Sequence, residues 1–244
     1  MKLVIDLGNT FQKLAVFSGE DIVFTEAPEK ITMKILLSIF NRFDIRSAII
    51  SSVIHHDKEL DSIVRSRCRC IVLDQKTPLP VISKYNSPET LGRDRLAAAV
   101  AGNSIYPNRN VLVVDAGTCI KYDFVNSQSE YLGGAISPGL RMRFNALHTF
   151  TEKLPLIELS EFNFLTGKTT EESLLSGVIN GALAEIDGII DRYRGIYPEI
   201  QVVLSGGDAE YLVSKLKNEI FAVSNIVLYG LKIILDYNDK QKAL

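Results

Sequence analysis

The chain opens with residues 2–10, KLVIDLGNT, and this stretch decides the fold. Residues 2–5 are typical of a buried β-strand, and the polar segment that follows predicts a turn. Residues 13–17, KLAVF, predict a second strand, so we expect a β-hairpin at the start of the chain. The glycine at its tip would let backbone N–H groups approach an anion, and Asp6 would bind Mg²⁺ directly or through water. The alternative is an ordinary hairpin turn, for which Asp, Gly and Asn are the usual residues.

The same pattern returns in the second half of the chain. Residues 111–114, VLVV, predict a strand that leads into Asp115-Ala-Gly-Thr118 and a second strand over 120–125. Two such copies predict a duplicated α/β unit, with domains at 1–107 and 108–244. We expect the two Asp-x-Gly turns to face each other across a cleft that holds phosphates.

A third glycine-rich turn, residues 205–208 (SGGD), follows a predicted strand and precedes a helix from Ala209. This turn predicts a third place where the backbone can approach a ligand closely, and it is suited to the nucleoside end of a nucleotide. The alternative for each glycine turn is a simple end of a strand.

Apolar periodicity predicts strands over 48–53 and 71–73 and helices over 31–43, 60–67, 95–102, from 140 and over 173–193. The polar tail after Tyr237 is the one segment expected to lack regular structure.

The composition limits the classes of function. The 244 residues carry a net charge of −2, which does not favour nucleic-acid binding, and 46% are hydrophobic, as in ordinary globular proteins. The sequence has no apolar run near ~18 residues and does not open with the pattern of a signal peptide. It therefore predicts a cytoplasmic location and no membrane or secretory function. Three cysteines do not form a disulfide framework. The three histidines, His55, His56 and His148, lack catalytic spacing and are interpreted as non-catalytic.

The segment 91–95, LGRDR, places an acid between two arginines just ahead of a predicted helix. A helix start and flanking cations both stabilise Asp94 as the anion, so it is suited to accept a proton. A modest base is enough for phosphoryl transfer. Arg93 or Arg95 would pair with a substrate carboxylate or a phosphate. The alternative is a solvated helix cap with surface arginines.

Taken in order, these motifs resemble those of type III pantothenate kinases, which have the actin-like fold of acetate and sugar kinases, Hsp70 and actin. The resemblance runs from the first strand to about Gly230. Its most specific element is Gly92-Arg-Asp-Arg95, whereas Asp-x-Gly turns alone indicate only the superfamily. The segments that carry it are DxGNT at 6–10, GRDR at 92–95, DxGT at 115–118, GGxIxPG at 133–139 and SGGD at 205–208.

The resemblance implies the fold and the roles of individual residues. The fold would be two duplicated, ribonuclease H-like α/β domains, with mixed sheets flanked by helices and ATP in the cleft between them. Asp94 would be the proton acceptor, Asp6 would hold Mg²⁺ with ATP, and Asp115 would help to bind a monovalent cation, K⁺ or NH₄⁺. The implied ATP-binding residues are Asp6, Leu7, Gly8, Asn9, Thr10, Phe11, Gln12, Lys13 and Thr118. The implied pantothenate-binding residues are Tyr85, Gly92, Arg93, Asp94, Arg95 and Thr170, the last across the interface of a homodimer.

The implied reaction is ATP-dependent phosphorylation of pantothenate to 4′-phosphopantothenate, the first step towards coenzyme A. One departure stands out, because Lys121 places a charge where the family usually has a neutral residue. If Lys121 points inward, it competes with the monovalent cation. The alternatives are an actin-fold phosphotransferase or phosphatase acting on another small hydroxyl compound, and a regulatory protein that retains the fold without catalysis.

Overall fold

The computed structural model describes residues 1–8, 10–54 and 57–241. The predictions for Asn9, His55 and His56 therefore lie outside the described residues.

The predicted opening hairpin is confirmed: its two strands pair antiparallel, with Asp6 opposite Lys13. The first sheet has five strands in the order β3-β2-β1-β4-β5. They are β1 (Lys2–Leu7), β2 (Gln12–Ser18), β3 (Asp21–Glu26), β4 (Ser47–Ser52) and β5 (Arg69–Val72).

The second sheet has six strands in the order β11-β10-β7-β8-β9-β6. Five of them repeat the first sheet, because β9-β8-β7-β10-β11 has the pairing directions of β3-β2-β1-β4-β5. The predicted duplication is therefore visible in the strand order. The strands are β6 (Ile82–Ser83), β7 (Val111–Ala116), β8 (Cys119–Val125), β9 (Glu130–Pro138), β10 (Gln201–Ser205) and β11 (Phe221–Ala222).

Seven described helices flank the sheets, so the expected mixed sheets covered by helices are present. They are α1 (Met33–Arg42), α2 (Lys58–Arg67), α3 (Arg93–Ile105), α4 (Leu140–Thr149), α5 (Thr170–Ile196), α6 (Ala209–Val213) and α7 (Ile226–Gln241). The sequence pattern missed α7, and the prediction of a polar tail after Tyr237 is wrong as far as Gln241. Packing against the first sheet and α3 keeps these polar residues helical, since tertiary contacts override local composition.

Helices α3 and α7 lie together at the centre of the molecule. They share one core with residues of both sheets, including Phe17 from β2 and Val125 from β8. The alanine-rich middle of α3 is almost fully buried, as expected of a helix enclosed on all sides. The two helices approach closely at Gly230, where an added Cβ would lie 1.9 Å from the carbonyl oxygen of Ala97. A small residue is therefore required at this crossing.

The division of the chain at residue 108 stays a prediction, and two elements cross it. The short strand β6 comes from the first half but pairs with β9 of the second sheet. Helix α7 comes from the end of the chain but packs against β1, β2 and β4 of the first sheet. Both connections join the two halves of the chain into one packed unit.

One described helix, α5, is long and apolar enough to cross a membrane by length and composition. It begins with a capping box at Thr169 and Glu172, and residues along its length, among them Ile179 and Ile186, belong to the core of the second sheet. Buried core helices meet the same length and composition criterion. This helix therefore does not indicate a membrane protein.

Candidate active site

The tips of the two repeated hairpins meet. The hydroxyl oxygens of Thr10, after β1, and Thr118, between β7 and β8, are 2.7 Å apart and share a hydrogen bond. The two turns therefore lie next to each other, as the duplication predicts; that ATP binds in a cleft between them stays a prediction. The glycines of the other motifs enclose the second turn. A Cβ on Gly139 would lie 2.1 Å from the carbonyl oxygen of Gly117, and a Cβ on Gly206 would lie 2.1 Å from that of Ala116.

Asp6 lies at the end of β1 with little exposure to solvent. The parallel pairing of β1 with β4 places Ser51 beside it. Burial and then the charge of Asp94 raise the pKa of Asp6 to about 6, although Ser51, Lys121 and Lys13 act in the opposite direction. Its Oδ1 atom is buried and has no hydrogen-bond partner among the described residues. An unpaired, buried carboxylate oxygen needs a proton or a cation, so Asp6 fits a Mg²⁺ ligand.

Asp94 is the second residue of α3, two positions after the N-cap Gly92. Its Oδ2 accepts a hydrogen bond of 2.7 Å from Lys121 Nζ, and a fifth of the side chain is exposed. Its Oδ1 faces Gly92, where an added Cβ would lie 2.6 Å away. A carboxylate here is therefore fixed through one oxygen, while a glycine keeps space around the other.

Lys121 is the centre of this cluster. It stands directly opposite Asp115 in the antiparallel pair of β7 and β8, so the two side chains share one face of the sheet. Its ammonium lies 2.7 Å from Asp115 Oδ2 and 2.7 Å from Asp94 Oδ2. Burial lowers the pKa of Lys121, but the charges of Asp115 and Asp94 outweigh burial and raise it, so the ammonium stays protonated. Two aspartates far apart in the chain thus contact one lysine, and Asp6 lies within electrostatic reach of Asp94 and Lys121.

A second buried ion pair lies next to the site. Arg95, the residue after Asp94, points inward and pairs with Asp123 on β8, with Nε 2.9 Å from Asp123 Oδ1. The Tyr131 hydroxyl donates to the same oxygen at 2.8 Å. The guanidinium also lies over the ring of Tyr85, 5.7 Å from its centroid. These contacts anchor the first turn of α3, and with it Asp94, to the second sheet.

A groove of about 1300 Å³ lies between α4 and α5, beside the end of β9. Its walls are mainly apolar, and Thr170 at the start of α5 lines it. Phe150, on the same groove, is 85% exposed. Such an exposed aromatic side chain on a concave apolar surface is typical of an interface with another molecule.

The comparisons with known proteins show the family of this chain. Residues 2–192 match the family model described as type III pantothenate kinase. A type III pantothenate kinase of Christiangramia forsetii is 42% identical over 249 aligned positions, which cover 99% of this chain and all of that protein. The chain belongs to the type III pantothenate kinase family. The predicted family is therefore confirmed, and with it the classification as a kinase.

Solved structures similar to this kinase show its fold. A protein of Campylobacter jejuni, provisionally assigned as a Baf family transcriptional activator, superposes with a TM-score of 0.62 at 21% identity, covering 98% of this chain and 99% of that one. The activator of 2-hydroxyisocaproyl-CoA dehydratase from Clostridium difficile, with bound ADPNP, superposes with a TM-score of 0.55 at 15% identity, covering 100% of this chain and 97% of that one. The predicted actin-like fold is confirmed.

Some of the predicted ATP-binding residues of the kinase lie at the hairpin tips, whereas the side chains of others are buried or have structural partners. Thr10 and Thr118 meet at the hairpin tips, and Phe11 is half exposed. In contrast, Leu7 is fully buried in the core, so only its backbone could contact a ligand. The Gln12 side chain accepts a hydrogen bond of 2.6 Å from the backbone of Ile31, which holds it away from the cleft.

The predicted pantothenate-binding residues of the kinase also fall into two groups, those that are partly exposed and those that already have partners within the protein. Tyr85 and Gly92 are partly exposed near Asp94, whereas Arg95 is buried and already paired with Asp123, so it is not a free partner for a carboxylate. Arg93 donates to the carbonyl oxygen of Pro88 at 3.3 Å. Thr170 is remote in sequence and lies on the groove. The ligand roles of all these residues stay predictions.

Sequence reasoning noted Lys121 as a departure but missed its contacts with Asp94 and Asp115 and the role of Asp123. Asp123 and Lys121 were available as a signal, because they are charged residues two positions apart in an otherwise apolar strand, and residues two apart share a face. Nothing local identified Glu185 of α5, which accepts hydrogen bonds from Tyr122 and Arg143 at the edge of the groove. The third histidine, His148, is 2.8 Å from the carbonyl oxygen of Leu154.

Proposed function

We propose that this kinase transfers the γ-phosphoryl group of ATP to the primary hydroxyl of pantothenate, giving ADP and 4′-phosphopantothenate, the first step of coenzyme A synthesis. The observation that carries this proposal is the placement of Asp94 and Asp115 on one lysine, with Asp6 within electrostatic reach of Asp94. Family membership supplies the identity of the acceptor. The three free cysteines are consistent with a reducing cytoplasm as its location.

The nucleotide is bound by the segment from Asp6 to Lys13 and by Thr118. Its phosphates lie between the two glycine turns, where backbone N–H groups donate to anions. Asp6 would hold Mg²⁺, and the ion would neutralise charge on the phosphates. Because Mg²⁺ is usually bound by one or two carboxylates together with phosphate oxygens and water, the nucleotide and water would supply its other ligands.

Asp94 is the proton acceptor. The pantothenate oxygen forms a bond to the γ-phosphorus, the bond from that phosphorus to the ADP oxygen breaks, and the hydroxyl proton moves to the Asp94 carboxylate. Because Lys121 holds Oδ2, we assign the proton to Oδ1, the oxygen beside Gly92. Fixing the base in this way contributes through positioning more than through basicity.

An Asp94→Asn variant tests this assignment. We expect turnover to fall about 10²-fold or more, because the amide cannot accept the proton, while MgATP binding is retained. Pantothenate-dependent ADP release measures the first and calorimetry the second. Asp191→Asn, which changes an exposed carboxylate paired with Lys217, is the matched control. Near-wild-type turnover of Asp94→Asn contradicts the assignment.

The wild-type assay also separates the alternatives. ADP release with other hydroxyl compounds but not with pantothenate would indicate a different small-molecule kinase. No ADP release with any acceptor would favour a regulatory protein that keeps the fold. The likeness to the Campylobacter jejuni protein does not favour this alternative, because at 21% identity it shows the fold alone.

We further propose that the chain forms a homodimer through the groove between α4 and α5. Phe150, 85% exposed, lines this groove, and Leu165, 80% exposed, precedes the lining residue Gly167 by two positions. Thr170 on the same surface would then reach the partner's pantothenate site. Light scattering during size-exclusion chromatography tests this proposal, and a monomer at assay concentration would contradict it.

A further inference from the structure

The Lys121 ammonium lies where a monovalent cation was expected. Asp115 was the expected ligand of K⁺ or NH₄⁺, but its Oδ2 is already 2.7 Å from Lys121 Nζ. The same nitrogen is 2.7 Å from the proposed base Asp94. A cation on that oxygen of Asp115 would stand next to a protonated amine in a poorly solvated place. The residues present therefore do not fit a separate monovalent cation at this oxygen.

We propose that Lys121 is a built-in replacement for the monovalent cation, so that this kinase works without K⁺ or NH₄⁺. The inference rests on the proposed function, since it concerns the charge that accompanies phosphoryl transfer. Lys121 carries the same single positive charge as the ion. The pairing of β8 with β7 also fixes the position of this charge, because it places Lys121 opposite Asp115.

The environment of Lys121 suits this task. The lysine side chain is 16% exposed, and those of Asp115 and Asp94 are 12% and 21% exposed, so all three are largely shielded from bulk solvent. An ammonium has three N–H donors. Two of them are used by the carboxylates, which leaves one for a phosphate oxygen or for the acceptor hydroxyl. Without Lys121, Asp94 and Asp115 would lose their shared counter-ion and repel each other and the phosphates.

Lys121 is thus a positioning residue for Asp94 as well as a fixed charge. A mobile ion must be bound from solution, and its occupancy depends on its concentration. A tethered ammonium is present in every molecule. The kinase should therefore respond to total ionic strength but not to which monovalent cation supplies it.

The first test uses the wild-type protein and needs no variant. ADP release with pantothenate is measured in tetramethylammonium, sodium, potassium and ammonium chloride at one ionic strength. We expect rates that agree within about twofold, less than 0.5 kcal/mol in barrier height. A stimulation by K⁺ or NH₄⁺ of about tenfold or more would overturn the inference.

The second test removes the charge with Lys121→Met. In tetramethylammonium chloride we expect turnover to fall about 10²-fold, and K⁺ or NH₄⁺ to restore at least about tenfold of it by occupying the vacated position. Lys217→Met, which breaks an exposed pair with Asp191, is the control and should show neither effect. A folded Lys121→Met variant that binds MgATP but is not restored by either ion would overturn the proposal.

A binding readout separates this inference from the proposed function. Melting temperature is measured for both proteins against increasing KCl, with tetramethylammonium chloride as the reference salt. We expect a K⁺-specific rise in Lys121→Met and none in the wild type, since a ligand that binds only the folded state stabilises it. If the wild type fails to phosphorylate pantothenate under any condition, the proposed function fails, while this comparison still decides whether Lys121 occupies a cation site. A K⁺-specific rise in the wild type would overturn the inference.

Discussion

The buried pair of Arg95 and Asp123 offers the sharpest test of how the site is built. The two side chains are 6% and 1% exposed, and Asp123 accepts from both the guanidinium and the Tyr131 hydroxyl. An Arg95→Met change keeps an unbranched, mainly aliphatic side chain but shortens it and removes the charge. Asp123 is then left in the core with only Tyr131 as a partner, and removing one member of a buried pair typically costs about 3–5 kcal/mol.

The cost should depend on pH. Burial raises the pKa of Asp123 to about 6 even though Arg95 lowers it. Removing Arg95 raises the folded-state pKa further, while the unfolded value stays near ~3.9. Below pH 6 the carboxyl is protonated in the folded wild type and in the folded variant, so their stabilities differ least. Above pH 6 only the variant's folded state retains the proton, so its free energy of unfolding falls further below that of the wild type.

Urea unfolding at pH 5 and pH 8 measures this difference. We expect a loss of about 3 kcal/mol or more at pH 8, equivalent to roughly 6–12 °C in melting temperature, and a smaller loss at pH 5. Adding Asp123→Asn to Arg95→Met should recover much of the loss at pH 8, because no carboxylate is then buried. Arg109→Met is the control, since its pair with Glu199 is exposed and worth about 0–1 kcal/mol.

Two results would refute this reasoning. One is a loss below about 1 kcal/mol at pH 8, the value expected of a surface pair. The other is a loss that is the same at both pH values. The kinetics of Arg95→Met also distinguish two roles. If Arg95 anchors α3 as the structure indicates, kcat falls and KM for pantothenate changes little, whereas a direct contact with the pantothenate carboxylate would raise KM strongly.

Two further predictions concern close approaches of the backbone. Gly230→Ala places a Cβ 1.9 Å from the carbonyl oxygen of Ala97, so α7 must move away from α3. We expect the free energy of unfolding, measured in urea, to fall by about 1–3 kcal/mol. Gly188→Ala on α5 is the control, because a Cβ there meets open space. Gly92→Ala places a Cβ 2.6 Å from Asp94 Oδ1, so kcat should fall with little change in melting temperature. Unchanged stability of the first variant, or unchanged kcat of the second, would contradict the respective packing argument.

The sequence by itself determined the repeated hairpins, the duplicated α/β architecture and the family. Strands and tight turns leave local signals, because side-chain alternation and glycine conformations depend on neighbouring residues. Only the tertiary structure decided where Lys121 and Arg95 point. Lys121 was recognised as a departure, but its contact with Asp94 links β8 to α3 across 27 positions. Arg95 was expected to face the substrate and instead pairs with Asp123 inside the core. The same long-range packing orders α7, whose polar end looked irregular. The partners of a charged side chain are set by which elements pack together, and no local pattern contains that information.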